Sequence, residues 1–286
     1  MEHDRLVIAH HPDFALYGYP VLRERLEPAF RELRDRGLLE REGVRVLEPA
    51  PVEERLVLRV HTPGHVRGVK NSGYWEVALL SAGAVIAGAE EVAAEKADAA
   101  FCFVGAAGHH ASREGFWGFC YLNDVAIAVE HLREAGLARR FAIIDIDPHF
   151  GDGTRDILGP DPEVLHVNFH SGYGEEGASG PANHDFRLPW DCEDDRFISA
   201  AERAVALAAE FHPELLFIIF GHDGHSRDYG AFELTAEAYV RFAERVKRAF
   251  LRKVCYVLSG GSSPDVASEA IAGVVNVLAG PDNGVG

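Results

Sequence analysis

The stretch "FAIIDIDPHFGDGT" (141–154) runs from four apolar residues straight into Asp145, Asp147, His149 and Asp152. Carboxylates and imidazoles at two-residue spacing can work together, because alternate residues of an extended segment point the same way. Asp147 and His149 can therefore face one metal ion. Asp223, in "FIIFGHDGHSRD", is the candidate third ligand. Two carboxylates and one histidine leave a coordination position open for water, the pattern of a catalytic zinc site rather than a closed structural one. A metal there would lower the pKa of water and polarise a carbonyl group. The adjacent pair His109-His110, in "FCFVGAAGHH", supplies nitrogen bases, and Asp145 and Asp152 are carboxylates able to orient them. Taken together, this chemistry points to hydrolysis of an amide or ester. Taken singly, such a pair also fits a helix cap or a solvated loop; Asp145 also has a structural reading, and His222 and His225 read as loop residues.

These residues are spread over more than one hundred positions, so the fold must gather them. Short β-rich runs ("RLVIAH", "GVRVLEPA", "AAFCFVG", "FAIIDID", "VLHVNFH", "LLFIIFG", "VCYVLSGG") alternate with helical periodicity. The helical stretches are 19–39, 71–97, 124–140, 198–211 and 235–253. Strands alternating with helices predict an α/β fold, a single three-layer domain over 1–286 with a mostly parallel central sheet flanked by helices. Several apolar runs end in glycine and polar residues, and in an open parallel sheet such carboxyl ends share one edge, where ligands bind. No repeat, low-complexity tract or linker divides the chain.

Composition sets the outer limits. The 286 residues, 47% of them hydrophobic, suffice for a large core. A formal net charge of −17 opposes nucleic-acid binding, which gains from a basic face. No apolar run approaches a membrane span of roughly 18–20 residues. Cys102, Cys120, Cys192 and Cys255 lie far apart without a CxxC pair, which fits reduced thiols and a cytoplasmic location. The absence of Gln and the single Met fit a thermophilic source.

The ordered set "GHH", "GFCYLNDVAIAV", "IDIDPHFGDGT", "FGHDGHSRD" and "LSGGSSPDVASEAI" resembles the histone deacetylase superfamily, with its arginase-like fold and its acetoin-utilisation and acetylpolyamine amidohydrolase members. The resemblance covers most of the chain, from "HTPGHVRGVK" to "GVVNVLAG". It implies Asp147, His149 and Asp223 as ligands of one zinc ion. It also implies His109 and His110 as general acid/base histidines paired with Asp145 and Asp152, and Gly118 and Phe119 as walls of the acyl channel. A potassium ion near Asp145, Asp147, His149 and the "VNFH" backbone is a further implication.

Three departures stand out. Where the family's glycine-rich loop carries a tyrosine, this chain reads "SGGSS" and places Ser262 there. A serine is too short to replace the phenol directly, and loss of one oxyanion donor costs roughly 3–4 kcal/mol. Tyr17, Tyr19, Tyr121 and Tyr173 are candidates to swing in, and a water held by Ser262 is another route. Pro148 and Phe150 also depart from the family's pattern; Phe150 stands where the second histidine of the metal motif is usual. The expected function is zinc-dependent removal of an acyl group, acetyl first, from an amine such as acyl-lysine or acetylpolyamine. The alternative is a metal-containing protein that binds an acylated ligand with little turnover. A dimanganese ureohydrolase would need additional ligands.

Overall fold

The computed structural model describes residues 3–172 and 182–280. Eight strands form one sheet: β1 (Asp4–Ala9), β2 (Val44–Leu47), β3 (Ala97–Cys102), β4 (Phe141–Asp145), β5 (Val164–His170), β6 (Asn183–Arg187), β7 (Leu215–Phe220) and β8 (Val254–Leu258). Their order is β2-β1-β3-β8-β7-β4-β5-β6, with every pairing parallel. Strands β4, β5, β7 and β8 are buried along their whole length; β7 accordingly reads as an unbroken Leu, Ile and Phe run, whereas β5 interleaves buried His166, Asn168 and His170 with its apolar residues.

The helices are α1 (Asp13–Tyr17), α2 (Pro20–Arg23), α3 (Leu26–Asp35), α4 (Glu54–Val60), α5 (Pro63–Ser72), α6 (Trp75–Ala93), α7 (Asp124–Glu134), α8 (Asp152–Leu158), α9 (Asp194–Phe211), α10 (Ala236–Ala249) and α11 (Pro264–Ala279). In one layer α6 packs on α7, and α7 on α4. In the other α3 packs on α11, α11 on α10 and α10 on α9. Helix α6 is apolar around most of its circumference and is correspondingly buried between the sheet and α7. The predicted three-layer α/β architecture with a parallel sheet is the one observed.

Four adjacent strands, in the order β3-β8-β7-β4, bring their carboxyl ends side by side. The segments after them carry His109 and His110, the 259–263 loop, Asp223, and Asp147 with His149. Helices α1, α4, α8 and α11 lie outside the expected helical stretches, as does nearly all of α5, and two further details differ from the sequence expectation. The helix expected over 19–39 is split between α2 and α3, where Pro28 has no N–H to donate back to Glu24, and Arg25 at the break is fully buried. Strand β6, "NHDFR", carries no apolar alternation and borders only β5 at the sheet's edge. All four cysteines are free and buried, and no helix among the described residues is long and apolar enough to cross a membrane.

Candidate metal centre and the cavity above it

Asp147, His149 and Asp223 converge, each offering a ligand atom within 4.8 Å of the others. Among the described residues theirs is the one such cluster of three or more His, Cys, Asp or Glu side chains, so a second metal's ligand set is not found there. His149 Nδ1 lies 2.8 Å from Asp147 Oδ1 and 3.1 Å from Asp223 Oδ2. One N–H can at most be shared between the two carboxylates. Both Asp223 oxygens are buried without a hydrogen-bond partner, although an orphaned buried carboxylate is expensive. These observations fit a cation among the three side chains. Gly260 leaves the room: a Cβ there would collide with Asp147 Oδ2 and Asp223 Oδ2.

The surrounding loops hold the cluster in place. Asp147 Oδ2 accepts hydrogen bonds from the Gly260 N–H at 3.0 Å and Ser259 Oγ at 3.3 Å, while Oδ1 accepts the His149 N–H at 3.0 Å. Burial raises the Asp147 carboxyl, but the charges of His109 and His149 overcome it and hold the group well below the usual carboxylate range. Asp223 moves the other way, raised by burial and by the Asp147 charge. Pro148, in a trans peptide, accepts the Ser171 N–H through its carbonyl at 3.0 Å. Phe150 is buried, with its ring under the Arg155 guanidinium and edge-on to His170.

The two histidines have different partners and opposite electrostatics. His109 Nδ1 donates to Asp145 Oδ2 at 2.9 Å, and its Nε2 lies 3.6 Å from Asp147 Oδ2. Burial lowers the His109 pKa, but the Asp147 and Asp145 charges win and raise it to about 9. His110 Nδ1 donates to Asp152 Oδ1 at 2.6 Å. Its pKa falls to about 4 through burial and the neighbouring His109 charge, because half-exposed Asp152 compensates only in part. Trp117 completes this side: its Nε1–H donates to Asp152 Oδ2 at 2.9 Å and its ring stacks on His110 at 3.7 Å.

A cavity of about 230 Å³ opens over these groups. Besides the metal cluster and the histidine pair, its walls include Leu22, Trp117, Gly118, Phe119 and Tyr229. Gly118 has φ +60°, and a Cβ there would come within 2.6 Å of His110 Cδ2. Phe119 has φ +67°, a costly conformation for a bulky residue, and stacks on Tyr19 at 4.6 Å. It is both a cavity wall and a packed side chain.

Ser262 is elsewhere. Its N–H and Oγ donate to Asp228, the hydroxyl at 3.0 Å, and it does not line the cavity. The tyrosines named from the sequence do not fill its place: Tyr17 is exposed, Tyr19 and Tyr121 pack with Phe119 and Tyr74, and Tyr173 lies outside the described residues. Sequence reasoning passed over Tyr229, Trp117 and Arg25. Arg25 is fully buried and donates to the Gly260 carbonyl at 2.6 Å and to the Ser259 carbonyl. Its Nη1 also lies 2.9 Å from His222 Nε2, and His222 Nδ1 lies 3.0 Å from Asp228 Oδ2. His222 is a loop residue, as expected, and is also a buried link between Arg25 and Asp228.

The family model for the histone deacetylase domain matches residues 19–278. The chain belongs to the histone deacetylase family. A probable deacetylase of Archaeoglobus fulgidus is 32% identical over a 297-residue alignment that covers 92% of this chain and 82% of the relative. Acetylpolyamine amidohydrolase 1 of Pseudomonas aeruginosa is 34% identical, with 73% of this chain and 63% of the relative covered. Polyamine deacetylase HDAC10 of Homo sapiens is 28% identical and covers 90% of this chain, which spans 44% of that longer protein. The crystal structure of the HDA15 HD domain superposes with a TM-score of 0.86 at 21% identity, covering 97% of this chain and 90% of that one. At that identity the superposition shows a shared fold.

Proposed function

We propose that this histone deacetylase family member is a zinc-dependent deacylase that hydrolyses the amide of an acylated amine. The observation that carries the reading is the cavity itself, which sets the Asp147, His149 and Asp223 cluster beside two histidines each oriented by a carboxylate. Asp147, His149 and Asp223 hold one zinc ion, which supplies Lewis-acid activation of water and of the acyl carbonyl when bound. A potassium ion beside the Asp145–His149 segment belongs to the same reading.

His110, neutral and held by Asp152 through Nδ1, has Nε2 free to take the proton of the attacking water and pass it to the departing amine. His109, held by Asp145 through Nδ1, stands beside it with Nε2 toward Asp147 and lines the same cavity. Leu22, Trp117 and Phe119 form apolar walls that accommodate the acyl chain and exclude bulk water. The names of the acetylpolyamine amidohydrolase and polyamine deacetylase relatives and the net charge of −17 support an amine substrate, acetylpolyamine or acyl-lysine, and the same charge argues against nucleic acid.

Ser262, committed to Asp228, favours a second reading: a metal-containing protein that binds an acylated ligand with little turnover. Zinc-loaded wild type and His110→Ala, assayed on acetylated polyamines, acetyl-lysine peptides and acyl esters, separate the two. Turnover abolished in the variant supports the deacylase; ligand binding without turnover in the wild type supports the binder.

A further inference from the structure

We propose that Tyr229 is a catalytic residue whose phenol hydroxyl donates a hydrogen bond to the acyl carbonyl oxygen as negative charge develops on it. This rests on the deacylase reading and names the donor that Ser262 cannot be. Acyl transfer places charge on that oxygen, and a preorganised donor aimed at it is worth roughly 10²- to 10³-fold in rate.

Elimination among the cavity's side chains leads to Tyr229. His109 and His110 have their Nδ1 protons committed to Asp145 and Asp152. The Trp117 indole N–H is given to Asp152, and the Gly260 N–H to Asp147. Asp147, His149 and Asp223 form the metal cluster. Leu22, Ala107 and Phe119 have no side-chain donor. Tyr229 lines the same cavity, its ring centroid 6.0 Å from that of His149, and its oxygen accepts the Gly261 N–H at 3.0 Å. Accepting that bond leaves the phenol proton available and polarises it for donation.

The hydroxyl is also held in place from its own loop. Asp228, the preceding residue, accepts the Ser262 N–H and Oγ at 3.0 Å and the Ser263 N–H at 3.1 Å. Residues 228 and 229 are thereby stapled along 261–263, and the Arg25–His222 link backs the staple from the core. In effect the loop after β7 delivers a phenol to the rim of the loop after β8. The phenol keeps its proton throughout; the water's proton moves to His110.

The test compares zinc-loaded wild type with Tyr229→Phe, which keeps the ring and removes one hydroxyl. Three readouts are taken: zinc content, the kcat and KM for N-acetylputrescine and an acetyl-lysine peptide, and affinity for a trifluoromethyl ketone analogue of the acetylated amine. Such a ketone hydrates and presents an oxyanion-like group even where no turnover occurs. The expected result is unchanged zinc, kcat lower by roughly 10²- to 10³-fold with KM within about threefold, and ketone affinity reduced by about tenfold or more. Unchanged kcat with unchanged zinc overturns the role. If the wild type hydrolyses nothing, the deacylase reading fails on its own, and the ketone then decides for Tyr229: weaker binding to Tyr229→Phe upholds the donor, and equal binding overturns it. Should Tyr229→Phe lose zinc, Tyr229→His retains a donor. Recovery of turnover or ketone affinity in that variant upholds the role, and loss equal to that of Tyr229→Phe overturns it.

Discussion

Ser262 Oγ donates to Asp228 Oδ1 at 3.0 Å, so the serine of the glycine-rich loop serves a carboxylate rather than the cavity. Ser262→Ala removes one of several hydrogen bonds to Asp228 and leaves those from the Ser262 and Ser263 N–H groups. A charge-assisted bond is worth about 1.5–3 kcal/mol, and the variant should lose stability within that range. Its turnover should stay within about threefold of wild type. Denaturant melts and steady-state kinetics check both, and a hundredfold loss of kcat would return the donor role to Ser262.

Gly118 controls the seat of His110. At φ +60°, with its missing Cβ only 2.6 Å from His110 Cδ2, Gly118→Ala must strain the backbone and push the imidazole off Trp117. Misplacement of a catalytic group by an ångström costs about 10²-fold in rate. That loss of kcat is the expected outcome in steady-state assays, with zinc content intact because Gly118 does not touch Asp147, His149 or Asp223. Loss of metal instead would show that the glycine supports the cluster.

Arg25 should matter more for stability than its helical setting indicates. Its guanidinium donates to the carbonyls of Ser259 and Gly260 and lies against His222. In Arg25→Leu the Ser259 carbonyl loses this donor, the Gly260 carbonyl keeps only the His222 N–H, and the buried His222–Asp228 pair loses the cation beside it. Removing one partner of a buried charged network costs about 3–5 kcal/mol, measurable as a lower urea midpoint at unchanged slope. A midpoint within experimental error of wild type would contradict the network.

His61 gives a pH dependence whose sign is fixed. Its Nδ1 donates to the Ser112 carbonyl at 2.8 Å and its Nε2 accepts the Asn123 N–H at 3.0 Å, so the folded protein uses the neutral ring. Burial, aided by the neighbouring His65, lowers its pKa from 6.5 to about 3. The folded pKa lies below the unfolded one, so the contribution is fully present above 6.5 and is lost as pH falls toward 3. The slope is up to about 1.4 kcal/mol per pH unit. Between pH 6 and 4, stability of His61→Gln should therefore fall less steeply than that of wild type; parallel curves would show that His61 does not titrate this way.

The parallel sheet and its site-bearing edge were legible because apolar strands ending in Gly, His and Asp carry their own signal. The polar edge strand β6 has no such period, and its register comes from β5 alone. Arg25 lay within one long helical stretch with nothing local to single it out; its burial depends on the carbonyls of the 259–260 loop, more than two hundred positions away. Tyr229 follows Asp228 in a loop with no periodicity, and its position at the cavity depends on hydrogen bonds to residues 261–263, more than thirty positions away. Searching for a tyrosine beside Gly261 in sequence could not find one brought there by the fold. A loop tyrosine directly following the metal-cluster segment was the available signal.

The most direct test of the metal centre is elemental analysis of the purified protein, with wild type and Asp223→Ala measured side by side. About one zinc per wild-type chain is expected, lost in the variant, since Asp223 is one of the three side chains that converge there. Wild-type protein that binds no divalent metal, or a variant that retains zinc at full stoichiometry, would contradict it.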